Sequence, residues 1–353
     1  MISFLHRVFV IGRNTLTEAV RQKVLNVLLI FGLVLVVCSV GISQFATPGL
    51  DAAGLFNAQV KFVKDFGCGA IGLFGFFIAL LSTAQLIPQE LHNRTIYTIL
   101  AKPVRRSEFL LGKFCGIVLL LALCVALMSL AFAATLYLQE VVVISQTEAG
   151  YAQGQPTWEQ QKEVVAQYNN EVRQAASETP DPQARAQKIG LIESKFRLNT
   201  PNWENVQNYV GMYDHDVQEI IQQVRDPQIV EAIILIFAKL VMTAAIGLLI
   251  STFATSSIFT IITTFMIYLI GHMEGTAREF WLSRGAEMSI WQSGLIGLIS
   301  MLIPDMNSFT IVDEILSGNH VPWTHALNLL GYANVYIIVL LAVSIVIFDY
   351  REI

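Results

Sequence analysis

Three neighbouring residues, Asp214, His215 and Asp216, have side chains of the types that bind metal ions. Carboxylate and imidazole groups coordinate divalent cations, so this run could suggest a metal site. On a helix, however, adjacent side chains point in different directions, and the residues that share a face are three or four positions apart. We therefore favour a solvated helix face for this run and expect no metal site in the chain.

One ionisable residue, Lys239, lies near the middle of a long apolar run. An ammonium group inside a bilayer is costly, so it must face a partner, a cavity or a water-filled path. Glu231 is two helical turns away, which is too far for a direct pair within a straight helix. Lys239 is thus a candidate intramembrane functional residue, and the alternative is a snorkelling or purely structural lysine.

The motifs that would hydrolyse a nucleotide are missing from the sequence. A phosphate-binding loop of the GxxxxGK[ST] type is absent, because the Gly112-Lys113 pair lacks both the earlier glycine and the following hydroxyl residue. We expect a non-catalytic chain that cannot hydrolyse ATP alone. A rival hypothesis is a membrane-embedded enzyme acting on lipid or peptide. Such an enzyme would need catalytic residues at membrane depth, and the apolar runs contain neither a His/Asp/Glu cluster nor an HExxH motif.

Composition places these residues in a polytopic membrane protein. The 353 residues are 54% hydrophobic and only 14% charged. The net charge of -5 is an uneven average, because acidic residues concentrate between Glu140 and Asp226. No basic patch with interleaved aromatic residues is present outside short loops, so nucleic-acid binding is not expected.

The most polar and basic segment between two apolar runs is residues 88–116. Ile96, Ile99 and Leu100 recur at helical spacing, which predicts a short amphipathic helix that ends at Pro103. Ser107 can cap the helix that follows, although without the Glu or Gln that completes a capping box. We expect a rigid, basic platform beneath the bilayer.

This platform resembles the cytoplasmic coupling segment of ABC-2 type transporter permeases. The similarity is greatest to the branch that contains the nitrous-oxide reductase maturation and gliding-motility permeases. It rests on Glu90, the Arg94-Thr95-Ile96 run, Leu100, Pro103-Val104, Arg106 and the Leu111-Gly112-Lys113 exit. The alternative is an ordinary loop whose basic residues only set the orientation in the membrane.

The resemblance implies a division of labour between subunits. A separate ABC ATPase subunit would bind ATP and Mg²⁺ and dock on residues 88–113, while this chain holds no cofactor. A second permease chain, most simply in a homodimer, would complete a path through the membrane lipids for an exported lipid-like, glycan or peptide substrate. A different possibility is a mechanotransmission or scaffold complex that acts on an envelope partner and moves no substrate. The implied ATPase-coupling residues are Glu90, Asn93, Arg94, Thr95, Arg105 and Arg106.

The predicted fold is an all-α polytopic membrane protein with six transmembrane helices. Four regions are expected in chain order. The second contains the coupling segment, and the fourth contains an outer re-entrant segment. The regions are an N-terminal interfacial helix at 1–23, spans 1–3 at 24–138 with coupling segment 88–113, an extracytoplasmic helical insert at 139–228, and spans 4–6 at 229–353 with re-entrant segment 290–316.

Within the insert the polar sequence predicts three helices, at 159–176, 183–196 and 203–223, and the insert could bind an extracytoplasmic partner. In the second span, Gly69, Gly72 and Gly75 recur at one-turn spacing. Small residues at this spacing predict close helix packing, either within one subunit or between two.

The distribution of basic residues predicts the orientation in the membrane. Outside the insert, ten Lys and Arg residues lie in the termini and platform, against four in the other short loops. Because basic loops stay in the cytoplasm, we expect both termini to be cytoplasmic and the insert to lie outside. The resemblance further implies a multi-pass protein of the bacterial plasma (inner) membrane.

Overall fold

The structure is a computed structural model, and it describes residues 2–43, 52–88, 105–153, 157–284, 291, 303–316 and 321–350. Within these ranges the regular structure is helical and no strand occurs. The elements in chain order are α1 (Ile2–Val20), α2 (Lys23–Ser43), α3 (Ala52–Leu86), α4 (Arg106–Ala152), α5 (Trp158–Glu178), α6 (Pro182–Asn199), α7 (Trp203–Val224), α8 (Gln228–Phe253), α9 (Ser257–Arg284), a 3₁₀ turn (Asn307–Thr310), α10 (Ile311–Leu316) and α11 (Trp323–Tyr350).

In the part of the chain that the structure describes, five helical stretches are long and apolar enough to cross a membrane, and a shorter apolar stretch, Ser257–Met273, lies within α9. The all-helical architecture is therefore confirmed for the described residues, while the count of six spans stays a prediction. The five stretches are Lys23–Ser43, Ala58–Leu86, Arg106–Ala152, Trp203–Phe253 and Trp323–Tyr350.

Contacts divide the chain into two compact units. The first, called here the membrane unit, comprises Met1–Gly41, Lys61–Thr135 and Pro227–Ile353. The second, called the insert unit, comprises Ile42–Val60 and Leu136–Asp226.

Helix α8 is at the core of the membrane unit. Its sequence is apolar on all sides, as expected for a helix that other helices surround, and it packs against α9, α10 and α11. Its contact with α3 is close at two glycines. A Cβ atom on Gly247 would overlap Thr83 of α3, and one on Gly75 of α3 would overlap Leu240.

The three helices predicted for the insert are confirmed as α5, α6 and α7. Asp181 begins α6 as its N-cap and accepts a hydrogen bond from the backbone N–H of Gln183, with Pro182 at the first helical position. Edge-to-face aromatic contacts between the helices add to the hydrophobic burial. The buried core consists of Trp158, Val165, Tyr168, Phe196, Trp203 and Val210.

Two expected boundaries lie inside helices. Residues 52–65, expected as a loop, belong to α3, where Val60 and Val63 are fully buried and so anchor this stretch in packed structure. The expected start of the insert at Gln139 falls within α4, which continues to Ala152. Neither proline nor glycine occurs between Gln139 and Gly150, so nothing local ends the helix at the expected boundary.

The outer segment predicted at 290–316 is described from residue 303 onward and at Trp291. Its predicted second helix, at 309–316, is confirmed as the 3₁₀ turn and α10. Asp305 begins this turn, because its carboxylate accepts hydrogen bonds from the backbone N–H groups of Asn307 at 2.8 Å and Ser308 at 3.1 Å. Most of the earlier part of the segment lies outside the described residues.

Candidate functional site

Helix α4 begins with a capping arrangement built on a buried carboxylate. Arg105 directly precedes the helix, and its backbone N–H donates to Glu108 Oε2 at 3.1 Å. Glu108 thus supplies the acidic half of a capping box, without the reciprocal side-chain acceptor at Arg105, and its negative charge also suits the helix N-terminus. The predicted cap at Ser107 is wrong, because α4 starts at Arg106 and so already includes Ser107.

The same carboxylate connects α4 to the N-terminal helix. Glu108 Oε1 lies 3.4 Å from Arg7 Nη2 on α1, and the Glu108 side chain is only 2% exposed. A buried charge that loses its partner is strongly destabilising, so the pair constrains where α1 can lie against α4. We call the set Arg7, Glu18, Arg105, Arg106, Glu108 and Lys113 the junction.

A second ion pair joins the same two helices. Lys113 Nζ lies 3.6 Å from Glu18 Oε2, and the Lys113 side chain is 5% exposed while Glu18 is half-exposed. The ammonium also lies 5.8 Å from the centroid of the Phe109 ring, within range of a cation–π interaction. Both ends of the contact between α1 and α4 are therefore held by charge.

Between the two ion pairs the helix backbones come into close contact at glycines. A Cβ atom on Gly112 would lie 2.7 Å from Ile11 Cβ, and one on Gly116 would lie 2.7 Å from the Gly12 carbonyl oxygen. Real Cβ atoms do not approach this closely, so these positions require glycine for α1 to pack as it does.

The predicted close-packing glycines of the second span behave differently. A Cβ atom on Gly69 or Gly72 would meet nothing within 4 Å, and only Gly75 of the three lies in a close contact. Within one subunit the predicted close packing is thus found for Gly75 and not for Gly69 and Gly72, and packing of Gly69 and Gly72 against a second subunit stays a prediction. Spacing alone does not reveal which face of a helix meets a neighbour.

The junction also reaches the last helix. The guanidinium of Arg106 donates to the backbone carbonyls of Phe348 at 3.2 Å and Asp349 at 3.0 Å, near the end of α11. Carbonyls at a helix C-terminus lack intrahelical partners, and a basic side chain satisfies them. The Phe109 and Phe348 rings stack 6.1 Å apart beside this contact. The start of α4 thus contacts both α1 and α11.

Of the predicted coupling residues, Arg105 and Arg106 lie at this junction. The others, Glu90, Asn93, Arg94 and Thr95, lie outside the described residues. Sequence reasoning missed Glu108 and its partner Arg7. The three-residue spacing from Arg105 to Glu108 was the available signal for the cap, whereas no local spacing links Arg7 to Glu108.

Lys239 lies midway along α8 and contacts a histidine of α9. Its Nζ is 2.9 Å from His272 Nε2, and His272 Nδ1 is 3.1 Å from the backbone carbonyl of Tyr268. A carbonyl can only accept, so Nδ1 carries the imidazole proton and Nε2 accepts from the ammonium. The imidazole is therefore neutral in this arrangement.

Aromatic rings form the remaining contacts of this pair. Lys239 Nζ lies 5.7 Å from the centroid of the Tyr268 ring, and Tyr268 lies 4.1 Å from Phe76 of α3. Among the described residues no carboxylate lies within ion-pair distance of Lys239, and Asp313 of α10 acts on it only from farther away. We call Lys239, His272 and Tyr268 the intramembrane cluster.

The Asp214-His215-Asp216 run of α7 does not converge on one point. His215 is 78% exposed, and Asp216 accepts a hydrogen bond at 2.7 Å from the hydroxyl of Tyr151. Within the described ranges no group of three His, Cys, Asp or Glu side chains could hold a metal ion. His215 thus lies on a solvated surface, as the spacing indicated.

Comparison with known proteins gives a match over most of the chain. A family model described as ABC-2 family transporter protein matches residues 18–348. This range includes all of the junction except Arg7, and all of the intramembrane cluster. No curated protein matches the chain.

Proposed function

The chain belongs to the ABC-2 family of transporter proteins, and on that premise we propose that it is the permease subunit of an ATP-driven exporter of the inner membrane. A separate ABC ATPase subunit binds ATP and Mg²⁺ and docks on residues 88–113. Two permease chains enclose the path, with both termini in the cytoplasm. The exported substrate is a lipid-like molecule, a glycan or a peptide.

The observation that carries this proposal is the position of Glu108. Within the coupling segment, the carboxylate accepts from the backbone N–H of Arg105 at the start of α4, and it also pairs with Arg7 of α1. A displacement of the segment therefore moves α4 and α1 together. The glycine contacts leave no space between these two helices, so packed cores transmit such a shift instead of absorbing it.

The link from Arg106 to α11 extends this coupling to the last span. Its two hydrogen bonds end on backbone carbonyls, so they follow the helix itself and not a flexible side chain. ATP-driven closure of two docked ATPases would thus move α1, α4 and α11 as a group. That motion opens the path between the two permease chains.

Glu108→Gln tests the coupling role. Glutamine keeps the size of the side chain and one acceptor for the Arg105 N–H, but it loses the charge that pairs with Arg7. We expect the variant to bind the ATPase and to hydrolyse ATP at the basal rate, with loss of substrate-stimulated hydrolysis. Glu314→Gln, at an exposed position of α10, is the matched control and should behave as the unmodified protein.

Charge reversal at Arg94 or Glu90 tests the docking surface itself. An interfacial charge that loses its partner costs about 2–5 kcal/mol, so Arg94→Glu should abolish co-purification of the ATPase without unfolding the permease. If Arg94→Glu retains the ATPase and Glu108→Gln keeps full stimulation, the coupling proposal fails. If no ATPase co-purifies with the unmodified chain, the exporter proposal fails as a whole.

A second candidate function is a complex that transmits mechanical work to an envelope partner. It is favoured by apolar side chains that the insert exposes despite having its own core, among them Leu198 at 86% and Leu191 at 66%. Exposed apolar residues on a folded unit indicate a binding partner when they cluster. Leu191→Glu together with Leu198→Glu should abolish this function and leave co-purification of the ATPase unchanged.

A further inference from the structure

The intramembrane cluster contains a positive charge, that of Lys239, which is not paired with an anion among the described residues. Lys239 extends from α8, a helix of the membrane unit whose other side chains are mostly apolar and buried. Its two direct partners are the neutral imidazole of His272 and the face of the Tyr268 ring. Neither partner carries a formal negative charge.

A protonated lysine has three N–H donors, and His272 accepts from only one of them. Within the described residues the remaining donors meet no carboxylate at ion-pair distance. Retaining such a charge in an apolar environment is costly, and ionisable residues inside membranes accordingly mark substrate or ion pathways.

The surroundings of the ammonium fix its position. His272 is held by the hydrogen bond from Nδ1 to the Tyr268 carbonyl, four residues earlier on the same helix, so Nε2 is aimed at α8. The centroid of the Tyr268 ring lies 4.4 Å from that of the His272 ring and 4.1 Å from that of the Phe76 ring. A fixed point charge therefore lies beside an apolar aromatic wall, which suits a ligand with a charged head and an apolar body.

We propose that Lys239 binds the anionic phosphate or carboxylate head group of an amphiphile, with His272 as the positioning residue. This inference rests on the proposed function as an exporter, and it narrows the substrate class to anionic amphiphiles. Oxygens of the head group accept from the remaining N–H donors of Lys239, and the partly exposed Tyr268 contacts the apolar portion. A charge-assisted hydrogen bond of this kind is about twice as strong as a neutral one.

The test is equilibrium binding to the full-length chain in nanodiscs of phosphatidylcholine. Fluorescent phosphatidylglycerol is the phosphate probe and fluorescent oleate the carboxylate probe, while fluorescent phosphatidylcholine reports binding without net charge. Both anionic probes should bind the unmodified chain more tightly than phosphatidylcholine. Unlabelled inorganic phosphate distinguishes the sources, because competition as strong as that by phosphatidylglycerol would indicate a site for a free anion and overturn the proposal.

Variants at the two residues separate binding from packing. Lys239→Met keeps the volume but removes the charge, and it should weaken binding of phosphatidylglycerol about tenfold, equivalent to about 1.4 kcal/mol. His272→Leu should also weaken binding, whereas His272→Gln supplies an acceptor and should restore most of it. Lys61→Met, at an exposed lysine of α3, is the control for general attraction of anions and should change nothing.

Each outcome bears on one proposal. Equal binding by the unmodified chain and a folded Lys239→Met variant overturns the anion site. If Lys239→Met does not fold, the binding preference of the unmodified chain decides the question. Equal affinity of that chain for anionic and zwitterionic probes also overturns the anion site. An ATPase that co-purifies despite such a result leaves the exporter proposal intact. Anion binding at Lys239 without any ATPase leaves the site and removes the exporter.

Discussion

The guanidinium of Arg7 lies 3.4 Å from the buried carboxylate of Glu108, and this pair joins the first helix of the chain to the start of α4. Because the two residues are on different helices, their contact depends on how α1 packs. Replacing the Arg7 side chain with a shorter one therefore measures how much this contact stabilises the packing of α1 against α4.

Arg7→Ala should destabilise the protein by about 1–2 kcal/mol. This is below the cost of about 3–5 kcal/mol for breaking a fully buried pair, because the Arg7 side chain is 39% exposed and its removal lets water reach the Glu108 carboxylate, which also keeps its hydrogen bond from the Arg105 N–H. Thermal unfolding in detergent measures the effect. Arg7→Ala combined with Glu108→Gln should cost less than the two single changes added together, since the pair is lost only once. Full additivity would show that the contact contributes nothing.

Gly116→Ala should destabilise the protein by about 1–3 kcal/mol, because the new methyl group would lie 2.7 Å from the backbone carbonyl of Gly12. Backbone atoms cannot move aside as a flexible side chain can. Gly69→Ala is the matched control, since its Cβ atom meets nothing within 4 Å. In the control, alanine should stabilise the helix by roughly 0.5–1 kcal/mol. Thermal unfolding should therefore show a lower midpoint for Gly116→Ala and a higher midpoint for Gly69→Ala than for the unmodified protein.

The end of α5 should lose protection against hydrogen exchange in acid. The hydrogen bond from Lys188 at 2.9 Å, aided by one from Gln174 at 2.8 Å, lowers the pKa of Glu178 below its ordinary value of 4.5. A carboxyl group with a lowered folded-state pKa contributes stability that is present above pH 4.5 and is lost as the pH falls through the folded pKa.

Glu178→Gln removes that titration. Its exchange rates around residues 175–188, corrected for the intrinsic pH dependence, should be higher than those of the unmodified protein at pH 6 and should not change further in acid. Glu163→Gln, at an exposed residue of α5, serves as the control and should keep the pH dependence. If Glu178→Gln keeps it as well, another group is responsible.

Labelling with a membrane-impermeant thiol reagent tests the orientation. Cys38 is exposed and Cys115 partly so, and both are first replaced by alanine together with the buried Cys68 and Cys124. Arg105→Cys should then react only from the cytoplasm and Leu198→Cys only from outside. The reason is that Lys and Arg residues concentrate in the termini and in residues 88–113, and basic segments stay in the cytoplasm. Leu198 suits this labelling because its side chain is 86% exposed. Reaction of Arg105→Cys from outside would reverse the whole topology.

Sequence alone determined the features that depend on local spacing. The long apolar runs indicated membrane-crossing helices, and the polar segment between them indicated three helices, both of which agree with the structure. The ABC-2 resemblance could also be recognised from the sequence, because it rested on an ordered run of neighbouring residues between Glu90 and Lys113. The family match supports it. Helix formation and motif order depend on residues that are only a few positions apart in the sequence.

Only the tertiary structure decided which helix faces meet. It paired Lys239 with His272, which are 33 residues apart, whereas the sequence offered Lys239 no partner. It also assigned the close glycine contact to Gly12, Gly112 and Gly116 and not to Gly69 and Gly72, although all of them are small residues on helices. The physical reason is that an apolar helix has many faces that could pack equally well, and the choice among them depends on the neighbouring helices as a set.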